Sequence, residues 1–364
     1  MAPPTPKTML AWRETVGKHE PFKKEVPVPK PAPNQVLLKV LAAGVCHSDC
    51  TLLALDQKLP GMAMHDEFTL GHEACGEIVD MGSEVDQSKF SYGDRVAMFI
   101  SPGCERKGCR QCSIGLNRLC RNGESGNYGL GIDDGGFAEY IAIKASAAVK
   151  IPKGMDPAVA AVAPDAVLTA YHAVKYTAKV KPGQTIVIYG LGGVGLNGLQ
   201  TAMHLGAKDI FVVDKRQEVL EEAIKQGVPR DHAFCTGDPN AKRIEQHVAE
   251  KGIVVDTTLD FVGHTDTVMS AQFTVKPEGT IVVVGLISQT WTVLPMVVVM
   301  QEINVKGSYN GTVEGLGECL ELIEQGVIKP VVETGSIEDL PKMLKDLDEG
   351  KIKSRMVLLP DWKK

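Results

Sequence analysis

The sequence has no long hydrophobic run, no basic block and no internal repeat, and each absence narrows what the chain can be. Its longest apolar stretches, Ile281 to Leu286 and Val297 to Met300, fall far short of the roughly 20 residues that a membrane span requires. No run of five or more basic residues occurs, and the formal net charge is −6, so no nucleic-acid partner is expected. The start, Met1-Ala2-Pro3-Pro4, lacks an apolar signal segment, which leaves a cytoplasmic location as the expectation. Cysteine is present nine times, an odd and clustered set that favours metal binding over a disulfide framework.

What is present is ordinary in bulk. A hydrophobic fraction of 44% and a charged fraction of 23% over 364 residues describe a globular chain long enough for two domains. Short β-branched segments (Val36 to Val40, Glu77 to Val79, Arg95 to Phe99, Tyr140 to Ile143) alternate with Gly and Pro turns in the first 150 or so residues. Pro27 to Pro33 reads as an extended connector. From Thr185 the pattern changes to strand and helix in turn. Thr185 to Tyr189, Ile210 to Val213, Val254 to Asp260 and Thr280 to Val284 read as strands, with helices over Val194 to Leu205 and Arg216 to Gln226. That alternation predicts an α/β domain with a parallel sheet and right-handed crossovers, preceded by a β-rich module.

Three groups of residues carry chemistry. Cys46 lies in Gly44-Val45-Cys46-His47-Ser48-Asp49, and His72 follows 26 residues later in Gly71-His72-Glu73. A thiolate and an imidazole suit zinc, and a hydroxyl two residues after the thiolate points to alcohol chemistry beside the metal. A catalytic zinc takes three protein ligands and keeps a fourth position open, so one ligand must come from elsewhere.

The second group is Gly190-Leu191-Gly192-Gly193-Val194-Gly195, which follows a strand and opens a helix. Gly190 permits the tight turn, Gly192 lets the backbone approach a pyrophosphate, and Gly195 allows close helix–strand packing. The helix N-terminus offers N–H groups to phosphates. Asp214, 24 residues after Gly190, is placed to accept from the adenosine ribose hydroxyls and argues for NAD over NADP. Arg216 is either a holder of a 2′-phosphate or a solvated residue at a helix start; the second reading is preferred.

Third, Cys104, Cys109, Cys112 and Cys120 lie within 17 residues, with glycines between them. Four thiolates so spaced read as a closed structural zinc site whose metal supplies much of the lobe's folding energy. The alternative is a loop of reduced cysteines.

Together these residues resemble the zinc-dependent alcohol dehydrogenases of the medium-chain dehydrogenase/reductase family, over nearly the whole chain. The markers are Cys46-His47-Ser48-Asp49, Gly71-His72-Glu73, Gly93-Asp94-Arg95-Val96, the cysteine lobe, Gly136-Phe137-Ala138-Glu139-Tyr140 and the glycine-rich turn. The resemblance implies a GroES-like catalytic domain from 1–153 and 310–364 around a Rossmann coenzyme-binding domain, 154–309, with the active site in the cleft between them.

The chain departs from the family pattern in four places. The first gap of the cysteine lobe is four residues rather than two, which makes Cys104 the least secure ligand. Where many members carry a second catalytic cysteine, the matching place in Ala163-Pro164-Asp165-Ala166 is Asp165, so the resemblance implies Cys46, His72 and Asp165 as ligands of the catalytic zinc. The alternative for Asp165 is a helix N-cap. Thr51 stands where relatives have a proton-relay histidine, leaving His47 or a water chain to take that part. The stretch between Cys120 and Gly136 is short, as in the tetrameric microbial branch.

The resemblance also implies roles for single residues. Ser48 accepts the substrate's hydroxyl proton, and Asp49 holds the His72 ring or caps a helix. Glu73 sits behind the metal and exchanges with a ligand, or is an ordinary buried ion-pair partner. Thr169 and Val194 press on the nicotinamide, while Arg355 and His47 reach the pyrophosphate; surface roles are the alternatives for Arg355 and His47. Gly193 completes the coenzyme turn. Ile100 replaces a bulky aromatic in the substrate pocket and so admits larger or secondary alcohols. Cys50, Cys75, Cys235 and Cys319 are expected to be inert thiols, and the apolar stretch Met296 to Met300 to serve a subunit interface or the core.

The implied activity is hydride transfer between NAD(H) and primary or secondary alcohols, or aldehydes and ketones in reverse. The implied complement is two zinc ions per chain, in a homotetramer or dimer. A polyol dehydrogenase of the same fold and a non-catalytic NAD-binding protein are the alternatives.

Overall fold

The computed structural model describes residues 5–363; the start of the chain, read above for a signal segment, lies outside the described residues. By its internal contacts the chain divides into two units. The first holds the chain up to Asp165 with Thr312–Glu324 and the segment from Val331 onward; the second holds Ala166–Gly311 and Gln325–Pro330. The division thus falls after Asp165 and Gly311, where the expected domain limits were 153/154 and 309/310.

In the first unit the order is β1 (Thr8–Thr15), β2 (Phe22–Pro27), β3 (Gln35–Gly44), α1 (His47–Leu53), β4 (Glu67–Thr69), β5 (Glu73–Met81), β6 (Arg95–Met98), α2 (Arg110–Ser113), β7 (Tyr140–Lys144), β8 (Ala148–Lys150) and α3 (Pro157–Val162). A π-helical turn, Ala163–Val167, leads from α3 into α4 (Leu168–His172), and the second unit begins within that turn at Ala166. There follow β9 (Thr185–Tyr189), α5 (Gly195–His204), β10 (Asp209–Asp214), α6 (Gln217–Lys225), β11 (Ala233–Cys235), α7 (Ile244–Lys251), β12 (Val255–Asp260), α8 (Thr265–Thr274), β13 (Val275–Val283), α9 (Pro295–Met300) and β14 (Asn304–Gly307). The chain then returns to the first unit with α10 (Val313–Glu324), β15 (Val332–Ser336), α11 (Leu340–Asp348) and β16 (Arg355–Leu359).

The second unit is a six-stranded parallel sheet in the order β11-β10-β9-β12-β13-β14. Renumbered from β9, that is 3-2-1-4-5-6, with the reversal between β9 and β12, where α/β sheets of this kind bind dinucleotides. Its central strands β9 and β10 are buried on both faces, which is why Thr185 to Tyr189 and Ile210 to Val213 read as continuous apolar runs. One strand differs from expectation. β13 begins at Val275, not Thr280, because Val275 pairs with Val255 before a bulge resets the register to Thr257↔Thr280.

In the first unit a seven-stranded sheet runs β15-β16-β3-β5-β6-β8, with β7 also on β3, and a smaller sheet runs β2-β1-β4. β3 is antiparallel to both β5 and β16: Gly44 pairs with Glu73 on one side and Val357 on the other. The C-terminal end of β3 is therefore flanked by the N-terminal ends of two strands distant in sequence. Cys46 lies two residues beyond that end, His72 immediately before β5, and Arg355 at the first position of β16. The sheet register gathers these residues; no local sequence signal does.

Candidate active site and metal centres

The first candidate centre forms where β3 ends. Val45 donates to the Met356 carbonyl at 2.9 Å, which fixes the turn carrying Cys46 into α1. Cys46 and His72 are buried, and Asp165 reaches them from the π-helical turn. One ligand atom each from Cys46, His72, Glu73 and Asp165 lies within 4.8 Å of all the others. The Cys46 Sγ to Asp165 Oδ2 distance is 3.4 Å, and His72 Nε2 to the same oxygen is 3.7 Å. A thiolate, an imidazole nitrogen and a carboxylate oxygen at these separations fit a tetrahedral zinc with an open position.

Asp165 is not at a helix start, so the N-cap alternative does not hold; Asp156 caps α3 instead, accepting from Ala158 N at 2.9 Å. A π turn inserts an extra residue into a helix and re-aims the side chains around it, a device frequent at functional sites. Burial alone would raise the Asp165 carboxyl, but hydrogen bonding and charge from His72, with the charge of Arg355, hold it well below the usual range.

Asp49 combines both readings made of it. Its Oδ2 accepts from Cys46 N at 2.9 Å at the start of α1, and its Oδ1 stands 3.2 Å from His72 Nδ1. That contact turns Nε2 of His72 toward the cluster and sets the ring's orientation. Ser48 lies one residue earlier on α1, its Oγ 3.7 Å from Cys46 Sγ. His47 is exposed on the same helix, and Thr51 Oγ1 donates back to the His47 carbonyl at 3.0 Å.

The surface alternative for Arg355 does not hold: its guanidinium is buried beside the cluster. Its Nε donates to Glu73 Oε2 at 3.0 Å, a second nitrogen donates to Glu73 Oε1, and that nitrogen also reaches Asp165 Oδ2 at 2.8 Å. The physical reason is the β3 register, which sets the start of β16 and the start of β5 on opposite sides of the same end of β3. Glu73 is thereby an ion-pair partner that remains within reach of the ligand cluster.

The second centre is the cysteine lobe. Cys104 Sγ lies 3.9 Å from Cys112 Sγ, and Cys109 Sγ 3.8 Å from Cys120 Sγ. A tetrahedron with Zn–S bonds of about 2.3 Å has S···S edges of about 3.8 Å, so the four thiols fit one zinc. None is in a disulfide. The longer first gap does not displace Cys104: Glu105 adopts a left-handed conformation that folds the extra residues outward. Sequence reasoning missed two supports here. Asn122 Nδ2 donates to Cys104 Sγ at 3.1 Å, and Lys144 Nζ donates to the carbonyls of Gly103 and Glu124 at 2.5 and 2.6 Å.

The glycine-rich turn joins β9 to α5 in the second unit. Gly190 has φ +84°, and a Cβ on Gly195 would lie 1.8 Å from the Gly190 carbonyl oxygen, so both positions require glycine for internal reasons. A Cβ on Gly192 would meet only Arg216, at 3.7 Å; the fold itself leaves room there for an approaching phosphate. Gly193 and Val194 are partly exposed beside it. Asp214 Oδ2 accepts from Leu191 N at 2.8 Å, and its Oδ1 from Arg216 N at 2.9 Å. Arg216 is half-buried with Nε 3.4 Å from Asp214, so the solvated reading does not hold. Thr169 is buried on α4, with Asn310 Nδ2 3.5 Å from its hydroxyl.

Among the other expectations, Ile100 is fully buried. Burial pushes the Cys50 and Cys75 thiols up to about 12, as inert thiols require. The Met296 to Met300 segment divides: Val297 and Val298 pack against the core of the second unit, while Met296, Val299 and Met300 are exposed on α9.

Comparison with known proteins agrees with this geometry. Residues 32–153 match the alcohol dehydrogenase GroES-like domain, and 193–325 the zinc-binding dehydrogenase domain. An alcohol dehydrogenase of Geobacillus stearothermophilus is 32% identical over 340 residues, covering 92% of this chain and 94% of its own. The structure of acetophenone reductase from Geotrichum candidum in complex with NAD superposes with a TM-score of 0.87 at 33% identity, covering 98% of this chain and 99% of that one. A putative zinc-binding dehydrogenase from Sinorhizobium meliloti, bound to NADP, gives a TM-score of 0.83 at 27% identity, with 98% and 100% covered. The chain therefore belongs to the zinc-dependent alcohol dehydrogenases of the medium-chain dehydrogenase/reductase family. It is an oxidoreductase of the CH–OH group of alcohols, acting on carbonyls in reverse.

Proposed function

We propose that this chain is an NAD-dependent secondary-alcohol dehydrogenase and ketone reductase with two zinc ions. The observation that carries the reading is the Cys46–His72–Asp165 cluster with the Ser48 hydroxyl beside it. Zinc, when bound, supplies a Lewis acid that lowers the pKa of a substrate hydroxyl, and the nicotinamide supplies the hydride acceptor. Ser48 accepts the hydroxyl proton, and the exposed His47 passes it to water, since Thr51 has no group that titrates near neutral pH. Asp49 fixes the His72 ring. Glu73, paired with Arg355, supplies a further carboxylate beside the ligands. The four cysteines take the second zinc.

NAD is preferred because the Asp214 carboxylate stands where a 2′-phosphate would be repelled. Arg216 beside it tempers that preference. Thr169 and Val194 are assigned to the nicotinamide face. The substrate is a medium-chain or aryl secondary alcohol, consistent with Ile100 in place of a bulkier ring and with the likeness to acetophenone reductase.

The chain works as a homo-oligomer in the cytoplasm. The exposed apolar side chains of Leu286, Ile287, Met296, Val299 and Met300, next to the edge strand β14, support self-association. Nine cysteines with no disulfide among them support a reducing compartment. Among the described residues no helix is long and apolar enough to cross a membrane.

The test is a panel of alcohols and ketones with NAD(H) and NADP(H), run beside metal analysis. Two zinc ions per chain and higher kcat/KM for 1-phenylethanol than for ethanol are expected. A clear preference for ethanol would overturn the substrate assignment, and one zinc without turnover would favour a non-catalytic coenzyme-binding protein.

A further inference from the structure

Asn197 is a buried amide that links the glycine-rich turn to the helical segment carrying Asp165. It sits in the first turn of α5 and is 3% exposed. Its Nδ2 donates in two directions: to the Gly193 carbonyl at 2.8 Å, in the turn itself, and to the Ala166 carbonyl at 3.2 Å. Ala166 directly follows Asp165 and belongs to the same π-helical turn. There the hydrogen-bond ladder changes from the wider π spacing to the α spacing of α4, a place where an inserted side chain can take over a helix carbonyl. A buried carbonyl without a donor would be costly, so Asn197 both satisfies this turn and fixes its position.

We infer that Asn197 is a positioning residue that ties the Asp165 turn to the coenzyme turn, so that binding of an adenine dinucleotide at Gly192 and Gly193 slows loss of the zinc held by Cys46, His72 and Asp165. The inference rests on the metal and coenzyme assignments proposed above. The reasoning is one of shared restraint. A pyrophosphate bonded to the turn limits its motion, Gly193 is held to Asn197, and Asn197 holds the carbonyl next to the metal ligand. Ordering at one end reduces opening at the other, and the coupling is reciprocal.

Two substitutions separate the bonds. Asn197→Ser keeps a hydroxyl able to bond the carbonyl four residues earlier, that of Gly193 in the turn before α5, but cannot reach Ala166. Asn197→Asp keeps the shape and removes both donors.

The experiment follows zinc release from the holoenzyme to a chromogenic chelator, with and without saturating ADP-ribose, which lacks the nicotinamide. In the wild type, ADP-ribose is expected to slow release of one zinc about fivefold, a typical coupling magnitude. In Asn197→Ser that zinc is expected to leave about fivefold faster, as for one lost buried hydrogen bond, with the ADP-ribose effect abolished. In Asn197→Asp the loss is expected to be larger, with weaker ADP-ribose binding. The four-cysteine zinc serves as an internal control and is expected to keep its wild-type rate in both variants.

Wild-type release unaffected by bound ADP-ribose would overturn the inference whatever the variants do. So would unchanged release in Asn197→Ser, or equal acceleration of both zincs. A wild-type chain with one zinc, or with no affinity for ADP-ribose, would instead remove the underlying assignments together with this inference.

Discussion

Arg355 and Glu73, 282 residues apart, form a buried two-point ion pair at the end of the central sheet of the first unit, with the Arg355 Nε to Glu73 Oε2 distance at 3.0 Å. The same guanidinium touches Asp165. Two acids and a thiol thus crowd one end of β3, and Arg355 is the fixed cation among them. With Cys46, Glu73 and Asp165 ionised, one arginine and one Zn²⁺ balance the three negative charges.

Removing that cation leaves an uncompensated buried carboxylate. Arg355→Met is expected to destabilise the protein by about 3–5 kcal/mol, read from denaturant unfolding of the zinc-loaded protein. Arg355→Lys should recover little of this, because an ammonium cannot match the two-point geometry. A Met variant as stable as wild type would mean that the pair contributes nothing.

Asp165 is the proposed ligand that distinguishes this site. Asp165→Ala is expected to lower zinc from two ions per chain to one, with the four-cysteine zinc retained and dehydrogenase activity lost. Asp165→Cys should keep both ions, since a thiolate has the same charge and suits zinc. Elemental analysis of dialysed protein decides; full metal retention in the Ala variant would remove Asp165 from the ligand set.

In the proposed function Asp214 is the coenzyme determinant. Its carboxylate would repel a 2′-phosphate, and Arg216, already beside it, would attract one. Asp214→Ser is expected to move the ratio of kcat/KM for NAD over NADP at least tenfold toward NADP, the size expected for about 1.4 kcal/mol. Some loss of stability should accompany it, because Leu191 N loses its acceptor. An unchanged ratio would place the 2′-position elsewhere.

Glu14 gives a pH dependence of stability. Burial, and then the charge of Asp49, push its carboxyl from the ordinary 4.5 up to about 7. Between those values the folded protein binds more protons here than the unfolded chain. The contribution of this group is therefore full below about pH 4.5 and is lost as the pH rises to about 7. Glu14→Gln is expected to flatten the stability profile across that window and to stabilise the protein above pH 7, by at most roughly 3 kcal/mol. Parallel profiles for the two proteins in chemical unfolding would count against it.

Much of the second unit was legible in the sequence because its signals are local. The apolar runs at Thr185 to Tyr189 and Ile210 to Val213 are the length of buried strands, and the glycines at Gly190 and Gly195 answer to contacts within a few residues. β13 was harder. Its first residue, Val275, is separated from the main run by Gly279, and only pairing with Val255 makes it part of the strand. In the cysteine lobe, spacing alone indicated a cluster, while the place of Cys104 after its longer gap depended on the backbone turn at Glu105.

By itself the sequence determined the kinds of groups available: a thiolate, an imidazole, nearby carboxylates, a serine hydroxyl, four further thiolates and a phosphate-sized glycine turn. These follow from residue identity and short spacing, which the covalent chain fixes. Tertiary structure decided which of them meet. The antiparallel register of β3 with β5 and β16 set Arg355 on Glu73. The π-helical turn aimed Asp165 at Cys46 instead of capping a helix, and Asn197 joined that turn to the glycines. Register and helix pitch are settled by packing over the whole sheet, and no window of neighbouring residues contains them.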